Sequence, residues 1–238
     1  MAARHERHAE SMVTQVSETV DAMLDAVKPK LRGWLHLGMA PLAGVLGLIL
    51  VVMTPTRGAR AAAAVFTLTA ALLFATSATF HIGKWSARQG AVLRRLDHSN
   101  IFLIIAGSYT PFTVLLDPDA RRTMLLIVWG GAIIGVAFRI FWLNAPRWIY
   151  VPAYVALGWV AIFYFSDLLA AAGWLIVSLI AIGGLFYTLG AMVYGFKRPD
   201  PSPQWFGYHE IFHALTIAAF LSHYVAASLA LYGSGAPS

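Results

Sequence analysis

The chain is predicted to be an all-α integral membrane protein, a seven-transmembrane helix bundle with its amino terminus in the cytoplasm and its carboxyl terminus outside. Three observations predict this. Of its 238 residues 59% are hydrophobic and only 12% are charged, where a soluble domain carries about 25% charged residues. The apolar residues gather in runs of about 20, the length that crosses a hydrocarbon core of roughly 30 Å as a helix. The basic residues lie between those runs and favour one set of connections.

The formal charge of +6 therefore reads as orientation in the bilayer, and no nucleic-acid partner is expected. With no cysteine in the chain, disulfides, iron-sulfur clusters and thiolate zinc sites are excluded. Any metal must sit on His, Asp or Glu.

Two regions are expected: a cytoplasmic tail over 1–30 and a seven-helix domain over 31–238. The tail has no apolar core of signal-peptide type ahead of a cleavage site, so it is expected to stay on the mature protein. In it Val13, Val16, Val20, Met23, Leu24 and Val27 recur at helical spacing. They fit a short amphipathic helix on the membrane surface, or simply a polar tail.

Apolar runs between charged or Pro/Gly breaks give the spans in order: Trp34 to Met53, Ala61 to Ile82, Asn100 to Leu116, Thr123 to Leu143, Trp148 to Ser166, Trp174 to Gly195, and Tyr208 to Tyr232. The third is short and holds Gly107 and Pro111, so a kink is expected there. Trp34, Trp148, Tyr150, Trp174 and Trp205 read as anchors at the membrane interfaces. No repeat and no low-complexity segment interrupts the pattern.

Loop charges set the direction. Of the 17 Lys and Arg residues, thirteen fall on the amino-terminal side: Arg4, Arg7, Lys28, Lys30, Arg32, Lys84, Arg88, Arg94, Arg95, Arg139, Arg147, Lys197 and Arg198. Only Arg57, Arg60, Arg121 and Arg122 fall on the other. The positive side faces the cytoplasm. His81 at the inner end of span two, Asp97 just before span three, and His209 and His213 opening span seven then share one depth near the cytoplasmic face.

His209 and His213 are four residues apart, so they stack on one helical face about 6 Å apart along the axis and can converge on one ion. Ser77 and His81 repeat the spacing. His81, His209 and His213 make a three-histidine metal set, and Asp97 can act beside it as a base or a water-holding group. Taken singly, each histidine could be an interfacial residue satisfied by headgroups. Four such groups from three helices in one layer favour a site, because ionisable side chains within spans are costly. His223 lies about 15 Å further along its helix, too far to share the ion; it either packs, the favoured reading, or lines a cavity above the site. His98 points elsewhere, His36 reads as an interface residue in preference to an outer contact of the site, and Arg139 is expected to snorkel to the cytoplasmic surface.

The segments "SATFH" (Ser77 to His81), "LDHSNIFLIIAGSYTPF" (Leu96 to Phe112) and "HEIFHALTIAAFLSHY" (His209 to Tyr224) resemble the hemolysin III family, within the adiponectin/progestin receptor superfamily and more distantly similar to the alkaline ceramidases. The resemblance runs from about Leu31 to Tyr232. It implies that His81, His209 and His213 bind zinc, that Asp97 holds or activates a zinc-linked water, and that Ser77 lies beside the site. "KPKLRGWLHLG" departs from the Thr-His usual near span one in that family, so no role passes to His36. The His-Glu-x-x-His pattern also belongs to zinc peptidases. Relatives can carry Gln in place of Glu210, and no acidic residue follows span seven as a third ligand, so a peptidase is disfavoured.

The expected function is zinc-dependent hydrolysis of a lipid amide or ester, with a ceramide-like lipid or phospholipid as substrate and a role in membrane lipid homeostasis. Zinc would lower the pKa of water and polarise the carbonyl, with Asp97 taking the proton and Ser77 donating to the oxyanion. The alternatives are a non-enzymatic membrane sensor with structural zinc, and a cytolytic protein as the family name suggests. A retinal pump is disfavoured, since span seven offers no Lys for a Schiff base. The location expected is the cell's inner (plasma) membrane, crossed several times.

The charge asymmetry generates a first prediction. A reporter active only in the periplasm, fused after Ser238, is expected to be active and a cytoplasmic reporter silent; the opposite pattern would reverse the orientation.

Overall fold

In hydrocarbon each backbone N–H and C=O must find its partner inside the protein, which leaves the helix as the economical element for an apolar chain. The computed structural model describes residues 29–233, and every long element in them is an α-helix. The stretch from Val13 to Val27 lies outside the described residues. The helices are α1 (Trp34–Met53), α2 (Arg57–Ile82), α3 (Ala87–Thr113), α4 (Pro118–Phe141), α5 (Arg147–Gly158), α6 (Phe165–Phe196) and α7 (Tyr208–Tyr232), with a 3-10 segment, Val160–Tyr164, between α5 and α6.

Local chemistry fixes their starts. The Thr56 side chain accepts from the Ala59 N–H ahead of α2. Ser86 and Gln89 form a reciprocal capping box for α3. Asp117 accepts from the N–H groups of Asp119 and Ala120, with Pro118 in the first turn of α4.

Among the described residues, five stretches are long and apolar enough to cross a membrane: α1, α2, α4, α7 and the 50-residue stretch Arg147–Phe196. The last is far longer than the roughly 20 residues one crossing needs. It is broken by the 3-10 segment and again at Gly173, where φ is 75° and ψ 171°. α3 has 27 residues but carries Arg88, Arg94, Arg95 and Asp97 along its first half.

Two expectations change here. Span three was expected from Asn100 with Asp97 ahead of it, whereas the helix starts at Ala87, so Asp97 sits within it and is buried. Its capping box and the basic residues at helical spacing extend the helix into a polar stretch that an apolar-run criterion passes over. The stretch Trp148 to Ser166 was expected as one uninterrupted span, whereas the helix ends at Gly158 and resumes at Phe165.

That break is stabilised by a side chain from α3. The Tyr109 hydroxyl donates to the Gly158 carbonyl at 2.6 Å and accepts from the Ala161 N–H at 3.0 Å. One phenol thus serves backbone groups that the interrupted helix leaves open.

Helices adjacent in sequence pack together, α1 on α2, α2 on α3, α3 on α4 and α6 on α7, and α7 also touches α1, α2 and α3. Polar groups face inward and supply the glue between helices. Asn100 donates to the Leu72 carbonyl at 3.0 Å, Tyr224 to that of Leu46 at 3.0 Å, and Ser222 to that of Leu179 at 2.8 Å. Large apolar side chains face outward, Ile134 being 72% exposed and Leu126 66%, the polarity expected of a bundle in lipid.

Arg139 corrects another expectation. It does not snorkel but is fully buried. It donates to His98 Nδ1 at 2.6 Å and to the Leu143 carbonyl at 3.2 Å, with its guanidinium 4.3 Å from the Tyr150 ring centre. The imidazole, the carbonyl and the aromatic face stand in for part of the water it would otherwise seek, while Nε and Nη1 have no hydrogen-bond partner among the described residues.

Tyr109→Phe is expected to lower stability by about 1–3 kcal/mol, the cost of leaving buried backbone groups unpaired. Thermal melting in detergent measures it, and an unchanged midpoint would mean that the break is satisfied by other groups.

Candidate metal centre

Three helices deliver the candidate residues. α2 brings Ser77 and His81, α3 brings Asp97, and α7 brings His209 and His213; all five are buried. The four-residue spacings put both α7 histidines on one side and set Ser77 one turn from His81. Among the described residues, the donor atoms of His81, His209 and His213 lie within 4.8 Å of one another. His209 Nε2 is 3.2 Å from His81 Nε2. Nitrogens about 2.0 Å from a tetrahedral ion stand roughly 3.3 Å apart, so this spacing fits a shared ion. His213 Nδ1 is buried with no hydrogen-bond partner. The cluster can hold a metal ion.

Asp97 lies beside the set. Its carboxylate is 3.6 Å from His81 Nε2, and Ser77 lies close enough to influence it. The group of converging donors comprises the three histidines without it.

His36 is not an interface residue. It is 2% exposed and stacks on His213 with ring centres 3.8 Å apart and planes 13° from parallel, with Phe74 edge-on at 5.1 Å. The turn into α1 is what carries it inside. Gly33 there has φ 87°, and a Cβ on it would come within 2.8 Å of the His81 Cβ. Only glycine allows that backbone so close to a candidate ligand.

Glu210, between the two α7 histidines, is fully buried. One carboxylate oxygen pairs with Arg32 Nε and the other accepts from the Gly207 N–H at 2.8 Å. The Lys30 N–H donates to the Gln204 carbonyl at 2.9 Å and the Leu31 N–H to that of Trp205 at 3.2 Å. The segment before α1 is thereby stitched to the connection entering α7. Sequence reasoning missed this role, since no local pattern links residues 178 positions apart.

His98 turns away to Arg139. A cavity of about 200 Å³ is lined by His36, Ser77, Asp97, His209 and His213, and also by His223. It thus follows α7 beyond the cluster by about 15 Å, at 1.5 Å per residue. Most other lining residues are apolar, and Trp159 and Ile162 at the broken helix belong to its wall while being 40% and 58% exposed. His223 packs, as expected, and lines this cavity as well.

Protein purified without chelator is expected to carry about one metal ion per chain. His209→Ala or His213→Ala should lose most of it and His223→Ala should not, as read by plasma mass spectrometry. Full retention in the first two variants would remove the site.

Comparison with known proteins agrees with these features. A protein of Bacillus subtilis (strain 168) called Hemolysin-3 homolog is 33% identical over 129 residues, which is 53% of this chain and 57% of that protein. The match therefore spans little more than half of that relative's length. Hemolysin-3 of Bacillus cereus is 27% identical over 191 residues, 77% of this chain and 85% of the relative. Residues 24–224, which include all five residues of the candidate site, match the family described as Haemolysin-III related, and the chain belongs to that family.

Proposed function

We propose that this membrane protein is a zinc-dependent hydrolase of a lipid amide or ester, its substrate ceramide-like or a phospholipid, acting in membrane lipid homeostasis. The observation that carries the proposal is the pairing of a three-histidine donor set, with the Asp97 carboxylate beside it, and a largely apolar cavity leading away from it. Catalytic zinc sites characteristically use three protein ligands and leave a position open, whereas structural ones close with four.

Zinc held by His81, His209 and His213 would supply a Lewis acid for the lipid carbonyl and bring water towards ionisation near neutral pH. The chain's own groups do the rest. Asp97, within 4 Å of His81 Nε2, accepts the proton that water loses and returns it to the leaving group. Ser77, one turn from His81 and beside Asp97, donates in this reading to the developing oxyanion. The apolar cavity takes the acyl chain, and the wall at Trp159 and Ile162 offers a route from lipid.

In this reading the chain crosses the plasma membrane seven times. α1, α2, α3 and α4 supply four crossings, Arg147 to Ala172 a fifth, Trp174 to Phe196 a sixth, and α7 the last. The break at Gly173 supports dividing the long stretch into two. The loop charges support a cytoplasmic amino terminus, which sets the cluster at the depth of lipid carbonyls on the inner side.

A sensor with structural metal is the second reading, favoured by the direct tie the cluster makes between α2 and α7. One substitution separates the two. In the hydrolase, Asp97→Asn is expected to keep metal and fold while fatty-acid release from ceramides or phospholipids falls about 100-fold or more, because an amide cannot take the proton. In the sensor the same change lowers metal content and melting temperature together. Wild-type protein that releases fatty acid from none of these lipids would sink the hydrolase.

A further inference from the structure

The cavity has a second polar place that the proposed chemistry does not use. Ten residues along α7 from His213, about 15 Å at 1.5 Å per residue, it meets His223, and from α6 it meets Tyr187. His223 Nε2 is 3.1 Å from the Ile180 carbonyl oxygen. A carbonyl only accepts, so Nε2 carries the hydrogen and Nδ1 of the neutral ring is a bare acceptor. That Nδ1 is buried with no partner, and so is the Tyr187 hydroxyl. The two rings meet edge to face with centres 5.6 Å apart.

The imidazole has no freedom to turn away. The α6 backbone comes so close at Gly183 that a Cβ there would lie 2.3 Å from His223 Cδ2 and 2.4 Å from Nε2. An acceptor and a hydroxyl, each lacking a bond that would offset its desolvation, thus sit on neighbouring rings that line the same largely apolar cavity.

We infer that His223 and Tyr187 form a second subsite, which takes a hydroxyl carried part-way along a lipid's hydrocarbon chain. The ligand O–H donates to His223 Nδ1, and its oxygen accepts from the Tyr187 O–H. A ketone cannot donate to Nδ1, and an ammonium would lack a counter-charge, since among the described residues lining the cavity the one acid is Asp97, beside His81. The separation from the cluster assigns the hydroxyl to the chain and not to the headgroup. The inference rests on the reading of the cavity as an acyl chamber whose reactive carbonyl lies at the three histidines.

The test is competitive displacement of a fluorescent fatty acid from the full-length protein in detergent, with ricinoleic and oleic acids as competitors. The two differ by one mid-chain hydroxyl. Ricinoleic acid is expected to compete about ten-fold better with wild type, the gain of a hydrogen-bonding site for a hydroxyl over its absence. The ratio should fall to about one in Tyr187→Phe and in His223→Phe, each of which keeps a ring in place. Equal competition with wild type, or displacement by neither acid, overturns the subsite. So does a ten-fold ratio that persists in either variant with a cooperative melt, in which case ordered water serves the two groups. Binding is read here without turnover. A protein that hydrolyses nothing can still show the preference, and a hydrolase can lack it, so the two failures are distinct.

Discussion

A polar group inside a bilayer has no water to fall back on, and this constraint organises the molecule. It explains why a bundle whose outer surface carries Ile134 and Leu126 keeps its histidines, hydroxyls and amides within. It also explains the partners they find. Tyr109 serves the broken helix before α6, Arg139 has His98 and the face of Tyr150, and Glu210 has Arg32 and the start of α7. The three clustered histidines obey the same rule in a different way. The His81 and His209 nitrogens 3.2 Å apart and the His213 donor that converges with them can be satisfied together by one cation, which accepts lone pairs from all three.

The position of α7 follows from that requirement. It touches α1, α2, α3 and α6, so a metal on its first turns would join parts of the chain far apart in sequence. The protein prepares this junction from both sides. Gly33 lets the turn into α1 lie against His81, His36 then stacks on His213, and Arg32 from the same turn holds Glu210 between the two α7 histidines. Glu210, which in a zinc peptidase would be the base, has both oxygens engaged in holding the helix start.

Within-helix geometry was legible in the sequence, because a four-residue spacing is a spatial statement. His209 with His213, and Ser77 with His81, could be placed on single helical faces from the letters alone, and the charge-free runs located most of the helices. Contacts between helices left no such trace. Nothing near His36 announces a stacking partner 177 positions away at His213, and nothing near Tyr109 announces that a helix will break at Gly158 for its hydroxyl to mend. Arg139 was misread for the same reason. A rule for lone arginines at span ends assumes water as the partner, and here the guanidinium turns inward to His98 and Tyr150. Asp97 fell outside its predicted span because an apolar-run criterion cannot follow an amphipathic helix into its charged turns.

That last difference bears directly on the choice between catalyst and brace. As a loop residue Asp97 could swing onto a metal and close its shell. Within α3 it is carried on a rigid element whose distance from α2 is fixed by packing and by the Asn100 amide on the Leu72 carbonyl at 3.0 Å. The carboxylate stands 3.6 Å from His81 Nε2 but outside the group of donors that all converge. In the proposed hydrolase, a carboxylate carried on a rigid helix beside the donor set stands where a proton acceptor would, outside the ligand shell. The architecture of α2 and α3, more than the identity of the ligands, is therefore what weighs the site towards chemistry.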